Sequence, residues 1–220
     1  MCHLVTTREK CIITLPPPIT YDYVDLGLPS GTKWATTNVG ARKPSDAGLY
    51  FQWGDTSGYT ADQIGTGDGQ HKFASDWSDY KWGKYPNFTK YTTTGATLEL
   101  EDDAAHANMG GNWHMPAPTQ IQELLDNTTN TWTAQDGVNG RLFTSKKEPS
   151  KSIFIPASSY AFDGHITTIG FYGDIWSSML DTNYVDTVHS LYFHENIAIL
   201  NDSYRYSIRY YGLSVRGVIG

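Results

Sequence analysis

The chain has few cysteines, few basic residues and no long apolar run, and each shortage excludes a class of protein. Its two cysteines are Cys2 and Cys11, so residues 12–220 can have neither a disulfide framework nor a cysteine-based zinc site. No run of about 18 apolar residues occurs, which argues against a membrane-spanning helix. The 16 basic and 23 acidic residues give a formal net charge of −7. An acidic chain repels nucleic-acid phosphates, so we expect no nucleic-acid partner.

The first 20 residues resemble an arm in front of a folded body. Their longest apolar stretch, residues 11–14, is shorter than the core of a secretory signal peptide, and no such signal is visible. Residues 16–18 are three successive prolines, which form a stiff break. We therefore predict an N-terminal arm or linker over residues 1–20 and one domain over residues 21–220.

The body alternates short apolar segments with turns, a pattern typical of strands. Residues 21–28 and 33–39 flank a Pro-Ser-Gly turn and predict a hairpin, and residues 48–54 predict a further strand. Residues 55–88 are rich in glycine and polar side chains and predict a long structured loop. Many short strands are predicted after Trp132.

Two segments have the features of helices. "LEDDAAHANMGG", residues 100–111, places acidic residues in the first turn and two glycines at its end. "MPAPTQIQELLDNT", residues 115–128, places Ile121, Leu124 and Leu125 on one apolar stripe. Two helices among many short strands, without regular strand–helix alternation, predict an α+β fold.

Several motifs, in the right order, resemble a large family of bacterial and phage domains with a C-type-lectin-like fold. "YVDLGLPSGTKWATTNVGA" and "GLYFQWGDT" resemble its opening strands, and "EDDAAHANMGGNWHMPAPTQIQELL" resembles its helical middle. "SIFIPASSY", "IWSS" and "YGLSVRGV" resemble its closing strands. The fold implied has short antiparallel strands, two helices and long structured loops.

Within that family, "WGDT", "GYTADQIGTGDGQ" and the terminal "VRGV" resemble the variable proteins of diversity-generating retroelements. In such proteins an error-prone reverse transcriptase rewrites adenines at the 3′ end of the gene while the scaffold stays fixed. The resemblance implies a non-enzymatic receptor-binding or ligand-binding protein, of the kind that sets phage tropism at the tail tip. It places the variable region at about residues 171–211.

The resemblance divides the C-terminal region into two sets of positions. The implied scaffold positions are Trp176, Ser177, Ser178, Leu191, Phe193, Ile197, Gly212, Leu213, Ser214, Val215 and Arg216. The implied ligand-binding positions are Asp186, Thr187, Ser190, Tyr192, His194, Ala198, Leu200, Asp202, Ser203, Tyr204, Tyr206 and Ile208. Strand periodicity supports the division in "SLYFH", because Leu191 and Phe193 alternate with Ser190, Tyr192 and His194.

The residues give no comparable support for catalysis, a cofactor or a metal. The fold that the resemblance implies is shared, more distantly, with formylglycine-generating enzymes, but those need paired cysteines in the body, which this body lacks. The calcium-binding triplets with which lectins recognise sugars are absent. A structural calcium site at Asp55, Asp62 and Asp68 is kept as an alternative. We predict a protein that is not an enzyme, with no catalytic residue, no metal ligand and no cofactor.

The expected partner is a protein or glycan receptor on a cell surface, contacted from a phage tail tip or from a bacterial surface, without membrane insertion. Tail-tip proteins of this type are often trimers, so a homo-oligomer is expected, in which avidity strengthens weak single sites. The alternative is a bacterial surface adhesin or carbohydrate-binding domain of the same fold whose residues do not vary.

Overall fold

The computed structural model describes residues 18–64, 72–201 and 207–220. Within these ranges the helices are α1 (Ala104–Met109) and α2 (Pro118–Asn127). The strands are β1 (Tyr23–Val24), β2 (Lys33–Ala35), β3 (Tyr50–Phe51), β4 (Gly83–Lys84), β5 (Asn87–Phe88), β6 (Thr128–Gln135), β7 (Val138–Ser145), β8 (Ser152–Pro156), β9 (Tyr160–Phe162), β10 (His165–Ile166), β11 (Tyr172–Leu180), β12 (Val188–His194), β13 (Ile197–Asn201), β14 (Gly212–Ser214) and β15 (Val218–Ile219). The predicted α+β class is confirmed, with strands predominating.

The strands form one large sheet and three small ones. The large sheet has the order β10-β9-β14-β11-β12-β13, with β3 also paired to β14. β1, β2 and β15 form a second sheet, in which the C-terminal strand pairs antiparallel with β2. β6, β7 and β8 form a third sheet, and β4 and β5 form an isolated hairpin. Within the described residues, neither helix is long and apolar enough to cross a bilayer.

Both helices form where the sequence places their signals. The Asp103 carboxylate accepts a hydrogen bond from the His106 backbone N–H at 2.9 Å and so caps the start of α1. α1 ends at Gly110, whose φ of 72° is readily adopted by glycine. α2 begins at Pro118 and buries Ile121 and Leu124, the apolar stripe that the periodicity predicts.

The hairpin predicted for residues 21–39 is confirmed, because β1 pairs antiparallel with β2. Its strands are shorter than expected, because β1 ends at Val24. Leu26 and Leu28, predicted to lie in that strand, follow it and are still buried in the core. The strand predicted over residues 48–54 is reduced to β3. In the described part of residues 55–88 the regular structure consists of two 3₁₀ turns, β4 and β5, in line with the predicted loop. Of the predicted arm, residues 1–17 lie outside the described residues.

Two hydrophobic cores lie on opposite faces of the large sheet. On one face Ile175, Leu191 and Phe193 pack with side chains of α2, β7 and β8. On the other face Trp176 and Leu213 pack with side chains around α1 and β3. The strands β11 and β12 therefore contribute to both cores.

Arg216 joins the β1–β2–β15 sheet to the rest of the molecule. Its guanidinium is fully buried and donates hydrogen bonds to Asn38 Oδ1 at 2.8 Å, the Ala35 carbonyl at 2.8 Å and the Phe154 carbonyl at 3.0 Å. Burial lowers the pKa of Arg216 to about 9. The planar fork of arginine satisfies all three acceptors at once, which a lysine ammonium cannot do with the same geometry.

Candidate ligand-binding surface

The strands β11, β12 and β13 present two faces of opposite character. The antiparallel register places Ile175 opposite Leu191, and both point into the core formed with α2. The same register places Tyr172 opposite His194, on the other face, because side chains alternate along a strand. We call this second face the outer face.

The outer face is covered at one end and open at the other. Trp176 and Ser190, which are paired across β11 and β12, have no solvent exposure. Two residues further along each strand toward the open end, Asp174 is still buried while its partner Tyr192 is partly exposed. The last outer residue of β12, His194, is also partly exposed. The open end therefore displays side chains above a base that is fully packed.

A continuous row of aromatic rings crosses the open end. Its members, called here the aromatic row, are His194, Tyr192, Tyr172, Tyr160, Tyr211 and Phe162. Successive ring centroids in that order are 5.9, 6.2, 6.0, 5.1 and 5.1 Å apart. The rings come from β12, β11, β9 and the segment before β14. Large rings with few rotatable bonds supply contact area at low entropic cost, which suits a binding surface.

A hydroxyl network holds Tyr172 at the centre of this row. Its phenol oxygen lies 2.8 Å from Thr167 Oγ1 and accepts a hydrogen bond from Thr168 Oγ1 at 3.0 Å. Burial alone would raise the pKa of Tyr172, but hydrogen bonds from Ser159, Thr167 and neighbouring hydroxyls lower it overall. The ring is therefore held in place before any ligand arrives.

Three of the predicted ligand-binding positions lie on the outer face of β12. Tyr192 and His194 are partly exposed there, while Leu191 and Phe193 are fully buried on the inner face, so the predicted alternation is confirmed. Ser190 shares the face but is fully buried, with its hydroxyl 2.7 Å from that of Ser207. Its expected display is corrected, because the second core extends this far along β12.

The predicted display of Ala198 and Leu200 is also corrected. The β12–β13 register places Ala198 opposite Phe193 and Leu200 opposite Leu191. Directly opposed residues share a face, and both side chains pack against the core formed with α2. These two positions point away from the outer face.

Ile197 and Ile199 occupy the outer face in their place. They lie opposite His194 and Tyr192 and are 37% and 38% exposed, so Ile197, an implied scaffold position, is displayed and not buried. The signal was available in the sequence. A two-residue turn at 195–196 pairs His194 with Ile197, and once His194 points outward its partner must do so too.

The remaining predicted positions lie beside the outer face or beyond the described residues. Thr187 forms an isolated bridge with Ile208, and the Asp186 carbonyl accepts a hydrogen bond from the Arg209 N–H at 3.1 Å. The predicted ligand-binding positions Asp186, Thr187 and Ile208 are each partly buried. Asp202, Ser203, Tyr204 and Tyr206 fall in residues 202–206, outside the described ranges.

Two buried arginines, which sequence reasoning did not single out, hold the backbone around this surface. Arg141 donates hydrogen bonds to Asn130 Oδ1 at 2.8 Å and to the carbonyls of His194 and Ile197, the two ends of the β12–β13 turn. Because Arg141 binds main-chain carbonyls, these hydrogen bonds do not depend on which side chains are displayed at the turn. Burial lowers the pKa of Arg141 below its usual range.

Arg209 likewise binds backbone carbonyls, in this case beside the segment that precedes β14. It is fully buried and donates to the Tyr80 hydroxyl at 2.9 Å and to the carbonyls of Tyr91, Val185 and Lys90 at 3.0–3.1 Å. Burial lowers its pKa. The guanidinium fixes the segment that leads from residue 207 into β14.

Asp174 is a buried carboxylate directly beneath the aromatic row. It lies opposite Tyr192 and is 1% exposed. Its carboxylate oxygens have no hydrogen-bond partner at standard geometry, although the Ser190 and Ser207 hydroxyls and the Ile175 backbone N–H lie close enough to moderate its pKa. Burial raises its pKa to about 8, an effect that the nearby hydroxyls of Ser190 and Ser207 only moderate. Burial therefore favours the neutral form of this carboxyl.

The described residues contain no group of three or more His, Cys, Asp or Glu side chains placed to hold a metal ion. Of the three aspartates that left a calcium ion open, Asp55 accepts a hydrogen bond from the Ser57 N–H at 3.0 Å. Asp62 lies in the 3₁₀ turn Ala61–Gln63, and Asp68 lies outside the described residues.

Comparisons of the chain with protein-family models, with curated proteins and with solved structures found no match.

Proposed function

We propose that this chain is a non-enzymatic binding protein with a C-type-lectin-like fold, which recognises a receptor through the open end of the outer face. The receptor is a molecule on a cell surface, and the chain serves a phage tail tip or a bacterial surface. In this proposal the C-terminal display positions vary through a diversity-generating retroelement. The short antiparallel strands, two helices and long loop accord with the fold that the sequence motifs resemble.

One observation carries the proposal: displayed and structural side chains are separated within single strands. All the implied scaffold positions except Ile197 are buried, whereas Tyr192 and His194, between and beyond buried Leu191 and Phe193, are partly exposed. Changes at core positions commonly cost about 1–3 kcal/mol each, and domains have only about 5–15 kcal/mol in reserve. A surface organised in this way tolerates repeated change without loss of the fold.

The buried arginines add a second line of support. Arg141 and Arg209 bind backbone carbonyls around the display positions, so loop geometry is maintained whichever side chains stand above them. Binding surfaces that are held in place before contact lose less entropy on association. A homotrimer would add avidity to such sites.

Paired variants test the proposal. Tyr192→Ser with His194→Ser should leave the protein folded, with a loss of ~1–2 kcal/mol because both side chains are only partly exposed. It should abolish binding of the labelled chain to whole bacterial cells in flow cytometry. Leu191→Asp, one residue away, should prevent folding because it buries an unpaired charge. If the double variant unfolds like Leu191→Asp, or still binds the same cells, the proposal is wrong.

A reverse transcriptase gene beside this one, with a near-copy of the gene's 3′ end that differs only at adenines, would separate the variable protein from a fixed adhesin of the same fold.

A further inference from the structure

The strands that carry the aromatic row contribute no basic side chain to it. Residues 152–201, which run from β8 to the end of β13, contain no lysine or arginine. The same residues contain five acids, Asp163, Asp174, Asp181, Asp186 and Glu195, and their histidines count as neutral in the formal charge. The chain as a whole has a net charge of −7 with 16 basic residues, so the basic residues are concentrated elsewhere.

The C-terminal segment does not reverse this balance. In residues 207–220 the two basic side chains are Arg209 and Arg216, and both are fully buried against backbone carbonyls. Residues 202–206 contain one aspartate and one arginine, which cancel in formal charge. Among the described residues of 152–220, the charged side chains that reach solvent are Asp163, Asp186 and Glu195, so their net charge is negative.

Exposed carboxylates stand at both ends of the aromatic row. Glu195, in the β12–β13 turn, directly follows the terminal ring of His194 and is exposed. Asp163, in the turn between β9 and β10, directly follows Phe162 at the opposite end and is also exposed. A ligand that extends past either terminal ring would thus approach a turn that carries an exposed carboxylate. The Arg141 guanidinium that binds the β12–β13 turn is itself buried.

From this arrangement we infer that the aromatic row, with Asp163 and Glu195, binds a cationic partner: a protein segment that presents arginine or lysine side chains. The inference rests on the proposed function and names the chemistry of the receptor. Tyrosine faces attract ammonium and guanidinium groups, and the attraction grows as the cation loses water. The molecule already contains this contact elsewhere, since the Arg209 guanidinium lies 4.1 Å from the centre of the Phe88 ring.

The same charges disfavour competing partners. A nucleic acid or an anionic lipid surface would bring phosphates against Asp163 and Glu195, with no exposed lysine or arginine from residues 152–201 to offset them. Complementary charge also raises association rates, and added salt reduces this gain because it screens the charges. Binding to the row should therefore weaken with ionic strength.

A phage-displayed library of random peptides provides the test. The library is panned on the full chain after depletion on a variant carrying Tyr192→Ser and Glu195→Gln, so that the recovered peptides depend on the outer face. Each recovered peptide is then synthesised with arginine and with citrulline, an uncharged side chain of nearly the same shape. Affinities are measured by fluorescence anisotropy at low and high potassium chloride.

We expect the recovered peptides to be enriched in arginine and lysine, and citrulline to weaken binding by ~5- to 30-fold, the range that one desolvated cation over an aromatic ring supports. Glu195→Gln alone should weaken the arginine peptides several-fold. Asp126→Asn, an exposed carboxylate on α2 away from the outer face, should leave their affinity unchanged.

The outcomes separate this inference from the proposed function. Peptides that require the outer face but show no basic enrichment, or that bind equally well with citrulline, would overturn the cationic partner and leave the binding surface intact. Recovery of no peptide that depends on the outer face would overturn both.

Discussion

Replacing Asp174 with asparagine should stabilise this protein, and the gain should increase with pH. The carboxyl lies within β11, is 1% exposed, and has no hydrogen-bond partner at standard geometry on either oxygen. Asparagine has nearly the same shape and no proton to lose. Its amide can bond to the neighbouring hydroxyls of Ser190 and Ser207, which are 2.7 Å apart.

The magnitude follows from the pKa of the buried acid. Burial raises the pKa of Asp174 from 3.8 to about 8, so between these values the native protein keeps a proton that the unfolded chain releases. The stability contributed by the neutral carboxyl is fully present below pH 3.8 and is lost as the pH rises toward about 8. At about 1.4 kcal/mol for each pKa unit, the loss reaches ~4 kcal/mol by pH 7.

Urea denaturation of the wild type and Asp174→Asn at several pH values between 4 and 9 measures this directly. The two free energies of unfolding should nearly coincide at pH 4, diverge by ~1.4 kcal/mol for each pH unit, and run parallel above pH 8. The control is Asp126→Asn, which removes an exposed carboxylate from α2 and should show no such divergence. A difference that does not depend on pH, or a variant less stable than the wild type at pH 8, would show that Asp174 is ionised and paired in the folded protein.

Two further substitutions test the scaffold by urea denaturation. Arg216→Lys should lower the free energy of unfolding by ~2–4 kcal/mol, because an ammonium leaves buried carbonyl acceptors unsatisfied; a loss no larger than that of exposed Arg42→Lys would contradict this role. Gly173→Ala should cost ~1–3 kcal/mol, since an added Cβ would overlap the Phe193 ring packed over it. Adding Phe193→Leu should restore part of that loss, and a Gly173→Ala protein as stable as the wild type would mean that the ring is free to move.

Local signals in the sequence were enough to predict the two helices and the first hairpin. Asp103 caps α1 by accepting from the His106 backbone N–H, Gly110 ends that helix, and Pro118 starts α2. Each boundary therefore depends on residues a few positions apart. The alternation of Leu191 and Phe193 with Tyr192 likewise predicted the two faces of β12, because side chains on a strand alternate whatever surrounds them.

Tertiary structure decided how much of each face reaches solvent. Ser190 follows the same alternation as Tyr192 but is buried, since the core around Trp176 covers that end of the outer face. In β13 four successive apolar residues give no alternation to read, and only pairing with β12 turns Ile197 and Ile199 outward and Ala198 and Leu200 inward.

The aromatic row and the buried polar groups depend on contacts between distant parts of the chain. Tyr160, Tyr172 and Tyr211 become neighbours because β14 joins the sheet between β9 and β11. Asp174 and Arg209 look like ordinary surface residues in the sequence, and their burial follows from which strands and loops close over them. Periodicity fixes the side of a strand on which a residue lies, but what covers that side depends on the whole fold.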